Sequence, residues 1–328
     1  EAIRYAVELS PVSMELNSMQ ILLGLIGLLL LVVTSLRRWL LRRESPQKQA
    51  VDFHGELYQV GSAVIARSRA DAPAGSVIVM HGFVENFLYF TEHYADPNIQ
   101  LIMLTSANYH LPVNQPRFTK ADWIKIPGQR PGTIAYDAAV LNQALEHLAT
   151  GTQIRVHGHS RGGAVTLEAA RQRPDLFARV EVILEAPVLP QGKPYKAVSP
   201  LARWFAPFYL FAWQQQPISP ANAKIFGPLD NPRKRELIMA LPFNPRYGST
   251  FANNIKDLAD WMDSTGTDIY QHVKFGAILV PSHDLILNAG AMLQSAQQAE
   301  SLQIIEVEGC SHLITTDRPD SIPPLSGL

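Results

Sequence analysis

Ser160 stands inside Val156-His157-Gly158-His159-Ser160-Arg161-Gly162-Gly163, and the segments on either side of it restrict the fold more than any other feature of the chain. The short segment Gln153 to Val156 reads as a buried strand and Ala164 to Ala170 as a helix, so the serine falls on a strand-to-helix turn. Gly158 and Gly162 remove the Cβ where strand and helix backbones must pass close together. Such a turn pushes the hydroxyl out at the carboxyl edge of a sheet. The helix beginning there aims free backbone N–H groups and the positive end of its dipole at any oxyanion formed beside the serine. Three fixed positions in five recur by chance, so a glycine-rich turn with an incidental serine is the alternative, and context must decide.

That context is an alternation of strands and helices. Val51 to Arg67 alternates apolar and polar residues as an antiparallel pair does, and Asp71 to Gly75 is a turn. Ser76 to Met80 reads as a buried strand, Glu85 to Tyr94 as a helix, Ile99 to Thr105 as a strand and 106–130 as a loop rich in Pro and aromatics. Thr133 to Leu148 carries apolar residues at helical spacing and is stopped by Gly151. After the serine turn come a strand at Val180 to Leu184, a strand at Ala277 to Val280, a helix at Ala289 to Glu300 and a strand at Gln303 to Val307. This order predicts an α/β fold with a mostly parallel sheet covered by helices on both faces. Between Pro187 and Asp268 the alternation breaks into a segment dense in Pro and aromatics with no clear strand.

Near the other end, Leu16 to Leu36 holds no charged residue and Ile21 to Val33 is apolar throughout, long enough as a helix of roughly 30 Å to span a bilayer. A signal peptide wants basic residues before the apolar run, whereas Arg37, Arg38, Arg42, Arg43 and Lys48 follow it, so an anchor at about 16–36 is expected. Arg4 is the only basic residue ahead of it, which places the remainder of the chain on the cytoplasmic side of the membrane. The chain opens on Glu1, which points to a processed or truncated start, with Met14 and Met19 as alternative starts. Ser45 to Gln49 is a short polar linker. With 328 residues, 47% hydrophobic and a net charge of −1, the chain can bury a sizeable core and carries no electrostatic footprint for nucleic acid. A single cysteine, Cys310, excludes an internal disulfide and points weakly to a reducing compartment.

The elbow Gly-His-Ser-Arg-Gly-Gly, the upstream His81-Gly82-Phe83 and a late acid and histidine together resemble the α/β-hydrolase family from about Val51 onward. The resemblance implies a helical lid over 188–268 inserted into a core of 50–187 and 269–328, behind an N-terminal segment of 1–45. A serine hydroxyl needs a base within reach and a third group to orient it. The family's order of serine, acid, histidine assigns Ser160 as nucleophile, Asp284 after the strand Ala277 to Val280 as orienting acid, and His312 after the strand Gln303 to Val307 as base, with Glu185 as reserve acid. His54, His93 and His147 are surface or packing residues on this reading, His157 and His159 pack beneath the elbow or line the site, and His283 precedes the acid. By resemblance the oxyanion hole is the backbone N–H groups of Phe83 and Arg161, the Arg161 side chain capping local carbonyls, with a substrate role as the alternative. Phe83-Val84 replaces the further glycines of the longer lipase version, which leaves bulky tertiary-alcohol esters in doubt.

The expected activity is hydrolysis of an apolar, lipid-like carboxylic ester through an acyl-enzyme, with no metal or cofactor. The lid aromatics Phe208 and Phe211 are expected to line the acyl pocket. The partners are then a small apolar ester and the membrane. An acyltransferase or thioesterase uses the same chemistry, and an idle hydrolase fold serving as a membrane-tethered interaction module is the alternative outside enzymology. A dinucleotide-binding reading fails because glycines 158, 162 and 163 do not fit G-x-G-x-x-G.

Overall fold

The computed structural model describes residues 11–43, 50–220 and 222–325, with side chains from Ser18 onward in the first helix. The expected linker Ser45 to Gln49 and the first ten residues of the expected N-terminal segment lie outside the described residues. In chain order the elements are α1 (Pro11–Arg42), β1 (Glu56–Val60), β2 (Ala63–Arg67), β3 (Gly75–Met80), β4 (Ile99–Thr105), α2 (Ile134–Leu148), β5 (Gln153–His159), α3 (Arg161–Gln172) and β6 (Val180–Glu185). The inserted helices α4 (Pro200–Trp204), α5 (Ala206–Gln215), α6 (Ala223–Phe226), α7 (Pro232–Met239) and α8 (Gly248–Ser264) follow. The chain then returns through β7 (Phe275–Pro281), α9 (Ala289–Ala296), β8 (Gln303–Val307) and α10 (Ile314–Asp317).

All eight strands form one sheet in the order β1-β2-β4-β3-β5-β6-β7-β8. β1 pairs antiparallel with β2 and β2 with β4, while every pairing from β4 through β3 to β8 is parallel. The strands read as apolar runs because both faces are covered. Ile78, Met80, Ile102, Val156 and Val182 face the layer formed by α2, α3 and α9, and the alternate residues Val77, Val79, Leu101 and Met103 face a layer built on Phe87, Leu88 and Phe90. Each such side chain taken out of water contributes about 1.5–3 kcal/mol. α2 starts where the Thr133 hydroxyl accepts the Tyr136 N–H (3.2 Å), and it buries the stripe Ile134, Ala138, Leu141, Leu145, Leu148 against the sheet.

The register sets the site. Met80 lies beside Gly158, Gly158 beside Leu184, Glu185 beside Leu279, and Pro281 beside Val307. Five strands therefore end on one edge, and what emerges there is His81-Gly82-Phe83, Ser160, Ala186, Asp284 and His312 in turn.

Two expectations need correction. The helix expected over Glu85 to Tyr94 is a single 3₁₀ turn at Phe87–Tyr89 among turns, capped by Asn86, whose Oδ1 accepts the Leu88 N–H (2.9 Å). Phe87, Leu88, Tyr89, Phe90 and Tyr94 are all buried, and a segment apolar on every side is held by packing rather than by a one-faced helical stripe. His54, placed on a strand by its surroundings, lies in the loop before β1.

α1 contains a stretch, Ser18–Arg42, long and apolar enough to cross a membrane, a test that a signal sequence near an N-terminus also passes. Its large side chains from Met19 to Val32 are exposed. The C-terminal turn is not: Leu40 is buried, and α1 packs there on α5 and the Pro245–Tyr247 turn.

Candidate active site

Ser160 occupies φ 53°, ψ −117°, a region that L-residues avoid and that marks an imposed turn. Its N–H donates to the Glu185 carbonyl (2.9 Å), and its carbonyl accepts the N–H groups of Gly163 and Val188 (2.9 Å each), so backbone from three elements holds it. The flanking glycines are required by contact. A Cβ on Gly158 would collide with the Gly162 carbonyl, and one on Gly162 with the Met80 carbonyl. α3 begins at this turn with no side-chain cap, which leaves its first N–H groups for a ligand. Among the described residues no protein acceptor takes the N–H of Phe83 or of Arg161. Gly82 packs so closely that a Cβ there would sit 2.9 Å from the Ser160 Cβ.

His312 and Asp284 meet as their order in the chain implied. His312 Nδ1 lies 2.6 Å from Asp284 Oδ2, while Asp284 Oδ1 accepts the N–H groups of Ile286 (2.7 Å) and Leu287 (2.9 Å). Because the carboxylate only accepts, Nδ1 carries the hydrogen and Nε2 is left as the basic nitrogen of the neutral ring. Burial raises the Asp284 carboxyl, but its interaction with His312 and the two backbone donors outweigh it and hold it below the usual carboxylate range. Ser160, Asp284 and His312 are all buried.

Glu185 is committed elsewhere. Its oxygens take the Tyr89 hydroxyl (2.6 Å), the Thr315 N–H (2.6 Å) and hydroxyl (2.8 Å), and His157 Nε2 (3.0 Å). Burial raises its pKa, yet the charges and hydrogen bonds of His159, His157 and Tyr89 hold it well below the ordinary value. It braces the loop after His312 and does not reach the His312 ring. The Arg161 side chain is likewise structural: it pairs with buried Asp137 (2.6 Å), donates to the Ser106 hydroxyl (3.1 Å) and reaches the Gly132 carbonyl (3.4 Å). The alternative of a substrate role for that side chain is excluded by these partners.

His159 holds an arrangement that sequence reading missed. Its Nδ1 faces Glu85 Oε2 (2.8 Å) and its Nε2 faces the His312 carbonyl (3.0 Å), and both partners can only accept. Both nitrogens therefore carry hydrogens and the ring is an imidazolium. Burial lowers its pKa, but Glu85, Glu185 and these hydrogen bonds raise it to about 9. Glu85 Oε2 also accepts the Gly82 N–H (2.8 Å), so one buried ion pair ties the loop carrying Phe83 to the loop carrying His312. The adjacent His157 is different: burial lowers it, and it accepts from the Tyr94 hydroxyl (2.8 Å) while donating to Glu185.

Beside the site lies a cavity of about 510 Å³ with apolar walls that include Phe83, Trp213, Phe226, Phe243, Phe251 and Met262. Leu285 and Leu313, the neighbours of Asp284 and His312, complete its floor, but Ser160 and His312 are not themselves in the wall. Phe208 and Phe211 do not line it. Phe208 packs on Phe205 (ring centroids 5.6 Å apart), and Phe211 lies under the Arg43 guanidinium at the end of α1 (5.2 Å). Aromatic density told that these rings were covered, not by what. The inserted segment is pinned to the core at two helices. Lys234 of α7, fully buried, pairs with Asp317 (2.5 Å) and donates to Ser311 (3.2 Å), next to His312; in α8, Asn254 Oδ1 accepts the Tyr109 hydroxyl (2.8 Å) and Asp257 the Ile134 N–H (2.7 Å).

The eight-stranded, mostly parallel sheet with a strained serine turn at its carboxyl edge is the architecture of an α/β hydrolase. The chain belongs to the alpha/beta hydrolase family, whose model matches residues 77–322. No curated protein matches it in sequence. Among solved structures it is similar to a thermophilic esterase from Thermogutta terrifontis, at TM-score 0.54 and 18% identity over 83% of this chain and 94% of that one. It is also similar to 2-hydroxy-6-oxo-6-phenylhexa-2,4-dienoate hydrolase from Rhodococcus sp. (TM-score 0.56, 16% identity, 83% and 96% covered). A lipase-esterase related protein from Clostridium acetobutylicum gives TM-score 0.54 and 16% identity over 79% of this chain and 96% of that one. At these identities the likeness carries the fold, and the chemistry must be argued from the site.

Proposed function

We propose that this hydrolase cleaves apolar carboxylic esters through an acyl-enzyme on Ser160, with His312 as base, Asp284 as its orienting acid, and the N–H groups of Phe83 and Arg161 as the oxyanion hole. The observation that carries the reading is the 2.6 Å Asp284–His312 pair at the same sheet edge as the strained Ser160 turn, beside an apolar cavity. His312 Nε2 takes the Ser160 proton as Oγ attacks the ester carbonyl, and returns it to the leaving alcohol as the tetrahedral intermediate collapses. Water, activated by the same nitrogen, then releases the acid. The uncapped start of α3 and the free Phe83 N–H offer preorganised donors to the oxyanion, each worth about a hundred- to thousandfold in rate.

Two further features belong to this reading. The cavity walls favour an acyl chain over a polar substrate, and α1 acts as a membrane anchor with the catalytic domain on the cytoplasmic side, in keeping with the arginines at 37, 38, 42 and 43. Packing of the α1 terminal turn on α5 favours a retained anchor over a segment that is cut away. The test is hydrolysis of p-nitrophenyl esters of graded chain length by wild type and Ser160→Ala. The reading expects turnover that improves with chain length and disappears in the variant, and turnover by the variant would remove it.

A further inference from the structure

The last turn of α1 is built into the inserted domain. Arg37 Nε donates to the Trp204 carbonyl (3.0 Å) and its guanidinium lies over the Trp204 ring (5.0 Å), while Arg43 lies over both Trp39 (5.3 Å) and Phe211 (5.2 Å). Trp204 closes α4, and the residue before it, Arg203, lines the apolar cavity. The exposed members of that cavity's lining are Pro194, Lys196, Ala197, Val198 and Ile286, so its rim lies mostly in the loop leading into α4. The rim therefore sits beside the end of the apolar stretch of α1, whose side chains from Met19 to Val32 are bare.

The surface around the rim has the composition of a lipid-facing one. Tyr195, Val198, Leu201 and Tyr209, in and after the loop leading into α4, are 42–68% exposed, large apolar side chains left in the open. From Ala186 through Leu229 there is no acidic residue, while Lys193, Lys196, Arg203 and Lys224 fall in that span and Arg37, Arg38, Arg42 and Arg43 adjoin it from α1. Aromatic and apolar tips flanked by cations at the end of an apolar helix match the headgroup layer of an anionic leaflet.

We infer that α4 and α5 lie on the leaflet into which α1 inserts, so that the cavity opens at the lipid headgroups and an ester substrate enters from the bilayer rather than from water. This rests on the reading of α1 as an anchor and of the site as an ester hydrolase. It gives the α1–lid contacts a purpose that anchoring alone does not need: a tether would work through a loose linker, whereas Arg37 and Arg43 fix the height and tilt of the rim. α5 packs on α1 and α4 meets it at Trp204, while the ion pair of α7 and the hydrogen bonds of α8 pin those helices to the core.

The test uses the full chain in vesicles of phosphatidylcholine containing phosphatidylglycerol. Nitroxide spin labels are placed through Leu201→Cys and Tyr209→Cys, neither of which lines the cavity, with Ile126→Cys on the exposed loop before α2 as control. Collisions with oxygen and with a water-soluble nickel chelate are then measured. The proposal expects labels at 201 and 209 to be open to oxygen and shielded from nickel, and the control to be open to nickel. Nickel access at all three sites overturns it, and so does shielding from both reagents, which would place a second protein copy on the patch. Loss of the wild-type chain from vesicles on flotation in high salt overturns both the anchor and the proposal. A kinetic arm uses Leu201→Glu with Tyr209→Glu, expected to slow hydrolysis of a long-chain ester dissolved in the vesicles at least about tenfold while sparing a short water-soluble ester. Equal losses on the two esters would contradict entry from the bilayer. Absence of wild-type turnover on either ester removes the hydrolase reading and leaves the spin labels to decide the placement.

Discussion

Glu85→Gln tests the buried ion pair beneath the serine turn. In the wild type Glu85 Oε2 accepts hydrogens from both His159 Nδ1 and the Gly82 N–H, each at 2.8 Å. A carboxamide cannot neutralise the imidazolium, so His159 should fall back to its neutral form at pH 7 and lose its donation either to position 85 or to the His312 carbonyl. The magnitude follows from the pKa of about 9 against an ordinary value of 6.5. That difference corresponds to about 3 kcal/mol at 1.36 kcal/mol per pH unit, part of it owed to Glu185 rather than Glu85. The sign follows from the direction of the shift. A group whose pKa is raised on folding stabilises fully below the unfolded value and loses that contribution as pH rises through the folded one, so the wild type should lose stability between about pH 7 and 9. Cys310, pushed by burial to about 12, does not titrate in that window.

In the variant this slope should be shallower, because Glu185 remains, and Tm at pH 7 should fall by less than the roughly 6–12 °C that the whole of about 3 kcal/mol would give at about 2–4 °C per kcal/mol. Thermal unfolding across pH 6–10, with ¹⁵N shifts of the labelled imidazole, reads both quantities. A wild-type stability that is flat across that range, or an imidazolium signal that survives at pH 7 in Glu85→Gln, would refute the assignment of charge to His159.

Other outcomes follow from the same geometry. His312→Ala and Asp284→Asn should leave a folded protein slower by roughly three to six powers of ten in kcat, while Glu185→Gln should act through stability instead, as thermal melts and kinetics together would reveal. Phe243→Ala with Phe251→Ala should flatten the dependence of kcat/KM on acyl length, since each methylene buried in the cavity contributes about 0.8 kcal/mol, or about fourfold; Phe208→Ala with Phe211→Ala should not change it. Arg161→Met strands Asp137 in the core and should cost about 3–5 kcal/mol in chemical denaturation. Protease added outside intact spheroplasts should leave the catalytic domain uncut, and rapid digestion there would reverse the orientation of α1.

The sheet was legible because its central strands are apolar on both faces, its first pair alternates and turn residues bound them, and the serine turn because Gly158 and Gly162 answer a local steric demand. That Asp284 and His312 meet could be expected because their order and their positions after strands are one-dimensional facts. What could not be read is everything that depends on which distant segment covers a side chain. Nothing near Glu85 announces a partner 74 residues later in His159, and Lys234 reads as one more cation on a helix until α7 is seen against Asp317. The aromatics of α5 failed as pocket residues for the same reason, since composition records that Phe208 and Phe211 need cover but not that Phe205 and the end of α1 supply it. Phe87 to Phe90 misled differently, the local apolar density being compatible with a helix while tertiary packing fixed it as a 3₁₀ turn.

The central claim is that Ser160 is an activated nucleophile. Treating the native protein with a fluorophosphonate and mapping the adduct by peptide mass spectrometry tests it without any assumption about substrate. A single phosphonyl adduct on Ser160, formed quickly by the wild type and suppressed in His312→Ala, is expected. Labelling at another serine, or none under conditions where the protein hydrolyses an ester, would contradict it.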